Sequence, residues 1–283
     1  MLLEAIDSVL AQSIREFELI VIDDGSTDGT AEHLARRLDK TIRIERIEHR
    51  GPAAARNRGV ALAGAPLIAF LDSDDLWAPA KLERQLAFMR ANPGCAIVQT
   101  NEIWIRNGRR VNPGLRHRKR AGDIFIDSLR TCLISMSATM MRTDLFRSLG
   151  GFDESMDAAE DYDLWLRTLI DHEAGLLGEP LVTRRGGRPD QTSATTPALD
   201  RFRILALTKL MEEDRLSPAR RIAVGEVLAE KCRIYAGGLA RRGRIDQARF
   251  YARVAEQAQN WHAVEIGCVI KSMRSTLREV PHE

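Results

Sequence analysis

The chain has 283 residues, 44% of them hydrophobic and 29% charged, a balance that belongs to globular proteins and excludes a disordered tail or a membrane-spanning bundle. Its 42 basic and 40 acidic residues leave a net charge of +2, so no whole-molecule field gathers nucleic acid and any anion site must be local. Cys95, Cys132, Cys232 and Cys268 are far apart and form no Cys-x-x-Cys pair, which points to reduced thiols and away from a zinc site or a disulfide framework.

Taken in chain order, Leu2, Leu3, Ile6, Val9 and Leu10 recur at helical spacing, and the amino end, with acids early and no basic stretch, does not read as a signal peptide. Phe17 to Ile22 is a β-branched run that ends in Asp23-Asp24-Gly25-Ser26. Thr30 to Leu38 reads as helix, Ile42 to Ile47 as strand, and Pro52 to Leu62 as helix with proline in its first turn. Pro66 to Leu71 is an apolar strand entering Asp72-Ser73-Asp74; Pro79 to Arg90 is helix and Ala96 to Thr100 strand. The longest apolar run, Val60 to Leu71, is broken by Gly64 and Pro66 and falls short of the roughly 20 residues that span a bilayer.

This alternation predicts an α/β fold with a mostly parallel sheet flanked by helices, in which ligands lie at the carboxyl ends of the strands. Both acidic loops then face one crevice. Further on, Ser137 to Met141 is a candidate strand and Thr143 to Leu149 a short helix. A helix carrying Tyr162, Trp165, Leu166, Leu169 and Ile170 then starts at Asp161. The turn-rich stretch from Gly186 to Pro197 suggests a boundary, giving a domain over 1–195 and a helical region over 196–283. The latter has predicted helices at Leu199 to Glu213, Pro218 to Arg241, Ile245 to Ala258 and His262 to Leu277. Small residues around Ala236-Gly237 and Ala252 suggest one close-packed helical hairpin that docks on the first domain.

Six motifs stand in order: Glu4 to Gln12, Phe17 to Thr30, Gly51-Pro-Ala-Ala-Ala-Arg-Asn-Arg-Gly59, Phe70-Leu-Asp-Ser-Asp-Asp75, Gly150-Gly-Phe-Asp-Glu154 and Glu160-Asp-Tyr-Asp-Leu-Trp-Leu-Arg167. A lone Asp-x-Asp is weak evidence, but the ordered set resembles glycosyltransferase family 2, of Rossmann-like GT-A fold, over roughly residues 2 to 195. The resemblance implies an inverting enzyme that moves a sugar from a nucleoside-diphosphate sugar, of UDP type, to an acceptor hydroxyl in cell-envelope polysaccharide or glycolipid synthesis. It implies a divalent cation, Mg or Mn, held directly by Asp74 with Asp72 contacting ribose or bound water. Carboxylates at the end of a buried strand suit such a cation, which offsets the charge of a departing diphosphate. Asp72-Ser73-Asp74 and Asp23-Asp24 become donor-binding positions together with Arg56 and Asn57, Arg56 suiting a diphosphate and Arg58 solvent. Asp161 becomes the general base, with Glu160 as its neighbour.

Each of these residues also has a plain structural reading. Asp23 and Asp24 can form an Asx turn, Asp72 and Asp74 a polar turn or cap, and Asp161 a helix cap. Between Ile103 and Gly122 lie seven Lys or Arg residues and His117 without one acid. A solvated loop is the preferred reading there, with a phosphorylated or lipid-linked acceptor or an anionic membrane surface as the alternative. The stripe Trp261, Ile266, Val269, Ile270, Met273 and Leu277 is read as packing on its own protein before it is read as an interfacial helix. The expected partners are therefore the nucleotide sugar and a glycan or lipid-linked acceptor, with no nucleic acid. The expected location is the cytoplasm, with peripheral contact at the inner face of the membrane.

Two departures from the family stand out. Relatives open with a hydrophobic strand and a Pro-Thr-Tyr-Asn-like segment, whereas this chain opens in the following helix, so one central strand is expected to be lacking and the base pocket to be short of a wall. Relatives also carry a histidine near the arginines that correspond to Arg184-Arg185. The rival readings are a sugar-phosphate nucleotidyltransferase, which does not account for the motifs at 150–154 and 160–163, and a non-catalytic module that keeps the fold.

Overall fold

The computed structural model describes residues 1–30, 34, 42–188 and 199–259. The helices predicted at Thr30 to Leu38, apart from its first residue and the buried Leu34, and at His262 to Leu277 lie outside the described residues, as do Cys268 and most of the stretch from Gly186 to Pro197. Helix α1 (Leu2–Leu10) precedes β1 (Leu19–Asp24), β2 (Ile42–Ile47), α2 (Pro52–Leu62), β3 (Leu67–Ala69), β4 (Leu76–Trp77) and α3 (Lys81–Ala91). Then come β5 (Ile97–Arg106), β6 (Arg109–Val111), α4 (Phe125–Arg130), β7 (Thr139–Arg142), α5 (Thr143–Ser148), α6 (Glu160–Leu169) and β8 (Ala174–Gly186). Three helices follow: α7 (Asp200–Met211), α8 (Pro218–Arg241) and α9 (Ile245–Gln259). The fold is α/β with a helical extension, as the sequence pattern predicts.

The pairing is more mixed than alternation alone suggests. β1 and β2 form a parallel pair, and a second sheet runs β3-β7-β5-β8-β4 with β6 added to β5. Parallel pairing in that second sheet is confined to β5 with β8, while β3–β7, β5–β7, β4–β8 and β5–β6 are antiparallel. The reason is topological. β7 follows a loop-rich stretch whose helix, α4, is only six residues long, and the 13-residue β8 spans the sheet to meet both β5 and β4.

Among the described residues, β1 pairs only with β2, and β3 only with β7. Between β1 and β3 lies an apolar cavity of about 600 Å³, lined from both sides by Leu19, Val21, Ile68 and Phe70 and ending at Arg56, Asp72 and Ser73. This matches the interruption of the central sheet that the sequence leads one to expect. α1 covers one side of the region with Ala5, Ile6 and Val9.

One continuous apolar core runs from the second sheet into the helical extension, joining Ile97, Met141, Trp165 and Leu169 to Phe202, Ile204, Leu207, Cys232 and Tyr251. α8 and α9 form the predicted hairpin, closed by an edge-to-face contact of Tyr235 and Tyr251 with ring centroids 4.7 Å apart. The close approach falls at Gly225, where a Cβ would lie 2.7 Å from the Ala258 carbonyl oxygen, and not at Gly237, whose neighbourhood holds only an arginine tip.

Candidate functional site

Three loops meet around Arg56. Its helix, α2, is started by Asp24, whose two carboxylate oxygens accept the backbone N–H groups of Arg50 (2.8 Å) and Gly51 (2.9 Å) just ahead of Pro52. Asp23, 5% exposed, accepts the Ser26 N–H at 2.9 Å in the expected Asx turn. Its second oxygen is buried with only Arg46 nearby, at 3.6 Å. The turn reading therefore operates at Asp23, whereas Asp24 holds the distant Arg50–Gly51 backbone; of the two, only Asp23 keeps a carboxylate oxygen without a hydrogen-bond partner among the described residues.

The loop after β3 is fixed from below. Ser137, at the entry to β7, accepts the Asp72 backbone N–H at 3.1 Å, and its carbonyl accepts the Trp77 indole N–H at 2.8 Å. Asp75 is 4% exposed and accepts the Arg185 backbone N–H at 2.9 Å. Burial, then the charges of Asp72 and Asp74, push its carboxyl up to about 7. Arg185 also donates to the Asp74 carbonyl and, at 2.8 Å, to Glu4. The Asp72–Asp75 loop is thus rigid, acidic and tied to β8.

Arg56 joins this loop to the start of α6. Its guanidinium donates to Asp72 (2.8 Å) and to Glu160 (2.5 Å) and lies 5.6 Å from the Phe152 ring centre. Burial lowers its pKa, but the two carboxylates outweigh that and hold it fully charged. Glu160 is itself raised by burial and by Asp161, with Arg56 pulling it back. Asn57 faces the other way: it donates to the Phe152 carbonyl (2.9 Å) and Glu154 (3.0 Å) and accepts the Phe152 N–H (2.9 Å). Its neighbour Arg58 makes a surface pair with Glu45.

Asp161 stands one residue into α6, after Ala159, which adopts a left-handed φ of 60° that an alanine takes only when its surroundings force it. Its carboxylate accepts the Tyr162 N–H at 2.7 Å and lies 3.8 Å from the Cys132 sulfur. The sequence places Asp161 at the helix start; the structure puts Ala159 at the cap, so Asp161 is not the capping residue. Burial and the Asp161 charge push the Cys132 thiol well up, which keeps it a neutral neighbour.

The structure adds residues that local sequence did not reveal. Lys119, from the middle of the basic run, is buried against Glu102 (3.4 Å), Gln99 (3.0 Å) and Ser135 (2.9 Å). Irregular register of β5 around Asn101 turns Glu102 toward it. Lys209, on α7 of the helical extension, bridges Asp153 of the Gly150–Glu154 loop and Asp163 of α6, each at 2.7 Å. No motif marks either lysine, because each partner is distant in sequence. Among the described residues no three His, Cys, Asp or Glu side chains converge on a single metal point.

Comparison with known proteins places this arrangement. A family model described as glycosyl transferase family 2 matches residues 1–150. An uncharacterized glycosyltransferase of Rickettsia felis is 36% identical over 180 residues, which are 63% of this chain and 30% of that protein, so the match spans less than a third of its relative's length. The Escherichia coli protein named UDP-Glc:alpha-D-GlcNAc-diphosphoundecaprenol beta-1,3-glucosyltransferase WfgD is 34% identical over 169 residues, 59% of this chain and 64% of its own. Among solved structures, Staphylococcus aureus TarS 1-349 in complex with UDP-GlcNAc superposes with a TM-score of 0.67 at 18% identity, covering 91% of this chain and 88% of that one. Mannosyltransferase PcManGT from Pyrobaculum calidifontis, in complex with GDP-Man and Mn2+, does so with a TM-score of 0.58 at 16% identity, covering 93% and 84%. At such identities these two establish a shared fold.

Proposed function

This chain belongs to glycosyl transferase family 2, a glycosyltransferase of GT-A fold, and from that premise we propose that it transfers a sugar from a UDP-type nucleotide sugar to an acceptor hydroxyl with inversion. The observation that carries the reading is the convergence of Asp72 and Glu160, the neighbour of Asp161, on one guanidinium, Arg56. In this reading that contact sets a donor-side acid beside the helix start that carries the acceptor-side acid. Support for the donor class comes from relatives whose names or structures carry UDP-Glc, UDP-GlcNAc or GDP-Man.

In this reading Asp23, Asp24 and Asn57 shape the nucleotide end, Asp23 through the oxygen that makes no hydrogen bond and the other two by holding the loops around it. Ser73 and Arg56 lie toward the diphosphate. The acidic loop suits a hard divalent cation: the charges that lift Asp75 are a local excess of negative potential. Asp74 and Asp72 would hold Mg or Mn, which would supply positive charge to offset that of a departing diphosphate. Asp161 takes the proton of the acceptor hydroxyl as its oxygen attacks the anomeric carbon and the bond from that carbon to the diphosphate breaks. We further propose that residues 1–195 form the catalytic unit and 196–283 a helical extension packed on it. The acceptor is a glycan or lipid-linked glycan of the cell envelope, met at the cytoplasmic face of the membrane.

Calorimetric titration of the full chain with UDP-glucose and Mn2+, followed by UDP-release kinetics, tests the proposal. Binding should require the cation and vanish on chelation. Asp161→Asn should keep donor affinity within about threefold and lower turnover by 10²-fold or more, the scale of a lost general base. Turnover surviving in that variant removes Asp161 from the role; no affinity for any UDP- or GDP-sugar overturns the donor reading.

A further inference from the structure

The face of the β6-β5-β8 edge around Trp104 gathers cations around one acid, Glu102, which accepts the Trp104 indole N–H at 2.9 Å and whose charge acts on Arg184. In register, Arg106 stands opposite Arg109, and Trp104 lies between Val111 of β6 and Arg184 of β8. Residues opposite one another, and two apart along a strand, share a face, so Trp104, Arg106, Arg109 and Arg184 sit on one side. The Arg184 guanidinium lies 5.1 Å from the Trp104 ring centre, and His117 packs on the same ring at 5.4 Å. Arg116 donates to His117 Nε2 at 3.0 Å, and burial together with Arg116 and Arg184 holds His117 below its usual range.

Two facts separate this face from an ordinary solvated surface. Arg106 and Arg109 are directly opposed like charges, an arrangement that destabilises a strand pair by itself. Among the described residues neither is in an ion pair, nor are Arg110, Arg116, Arg118 or Arg184, all exposed; of the other two cations of the run, Lys119 is buried on Glu102 and Arg120 pairs with Asp127. The second fact is Leu115, 88% exposed in the turn between Gly114 and Arg116. An exposed leucine next to Arg116, two residues before the histidine that packs on Trp104, matches the interface of an anionic bilayer, where headgroup charge meets the cations and acyl chains accept the leucine.

We propose that this face docks on an anionic membrane surface, Arg106, Arg109 and Arg116 meeting the headgroups and Leu115 entering the boundary. Lys119 ties the same segment to Gln99 and Glu102 of β5 and to Ser135 ahead of β7.

The test is co-sedimentation of the full chain with vesicles of phosphatidylcholine alone or with about one third phosphatidylglycerol. Binding is expected only with the anionic lipid and should weaken severalfold between about 0.1 and 0.5 M salt. Arg109→Glu, which gives Arg106 a cross-strand partner and so spares the fold, should weaken binding about tenfold, as should Arg106→Glu. Leu115→Ser should cost a further severalfold without changing charge. The double variant Arg43→Glu/Arg241→Glu alters net charge by four units at distant exposed positions and should bind like the parent. Failure of the parent to bind anionic vesicles at low salt overturns the proposal. So does an equal loss in the distant variant, or retention on heparin with no vesicle binding. No sugar donor is used, so the outcome is independent of the transfer reaction.

Discussion

Arg56 neutralises Asp72 and the nearly buried Glu160 at once, with its own side chain 20% exposed. Removing one member of such a set leaves the others as unbalanced charge in a poorly solvated place. Arg56→Met should therefore lower stability by about 2–4 kcal/mol in urea titration and weaken donor binding. Arg56→Lys should recover only part of either, because an ammonium cannot bridge two carboxylates as a fork. Ala159 provides the opposite expectation. Its left-handed φ is one that glycine adopts freely, so Ala159→Gly should cost nothing or stabilise by up to about 1 kcal/mol. A fall in turnover despite equal or greater stability would show that the rigid entry to α6 places Asp161. Gly151 is the reverse again. Its φ is 72° and a Cβ would lie 2.6 Å from Asn57 Oδ1, so Gly151→Ala should destabilise by about 2 kcal/mol or more and disturb the hydrogen bonds of Asn57 to Phe152.

At the scale of elements, α7 reaches into the catalytic half through Lys209. Burial raises the Asp153 carboxyl, but hydrogen bonds from Lys209 and Ser155 outweigh it and hold it at about 2. A carboxyl depressed in the folded state adds stability above its unfolded value near 4, and that stability is lost as pH falls toward 2. Lys209→Met should therefore cost about 1–3 kcal/mol at neutral pH, and the gap to the parent should narrow steadily between pH 4 and pH 2 in acid denaturation. A gap independent of pH would mean that the lysine acts through packing alone. Asp163 keeps its two hydrogen bonds from Arg167 in that variant, so α6 itself should persist.

For the whole molecule, the core does not stop at the boundary between the sheet and the helical extension. Trp165, 1% exposed on α6, shares it with Leu207 and Ile204, both 0% exposed on α7. The chain should unfold in one cooperative transition, and Leu207→Ala should shift that transition by about 2–5 kcal/mol as followed through the near-ultraviolet signal of its tryptophans. Two separate transitions would show that the helices are an independently folded appendage.

How much of this the sequence carried follows from the range of each interaction. Helix α2 and helix α8 match their predicted limits residue for residue, because proline in the first turn is a local signal. The acidic stations were legible as motifs, since Asp23-Asp24, Asp72-Ser73-Asp74 and Glu160-Asp161 each occupy one short stretch at the end of a strand or the start of a helix. By itself, the sequence determined the family, the α/β class and helices such as α2 and α8, while β4, β6, α4 and β8 were not among its predicted elements. Only the tertiary structure decided that Arg56 binds Asp72 and Glu160 together, that Lys119 leaves a basic run to be buried, that Lys209 draws the extension onto α6, and that the sheet is mixed. Each of those depends on which distant backbones pack together, and charge or periodicity within a few residues holds no record of a partner 50 or 100 positions away.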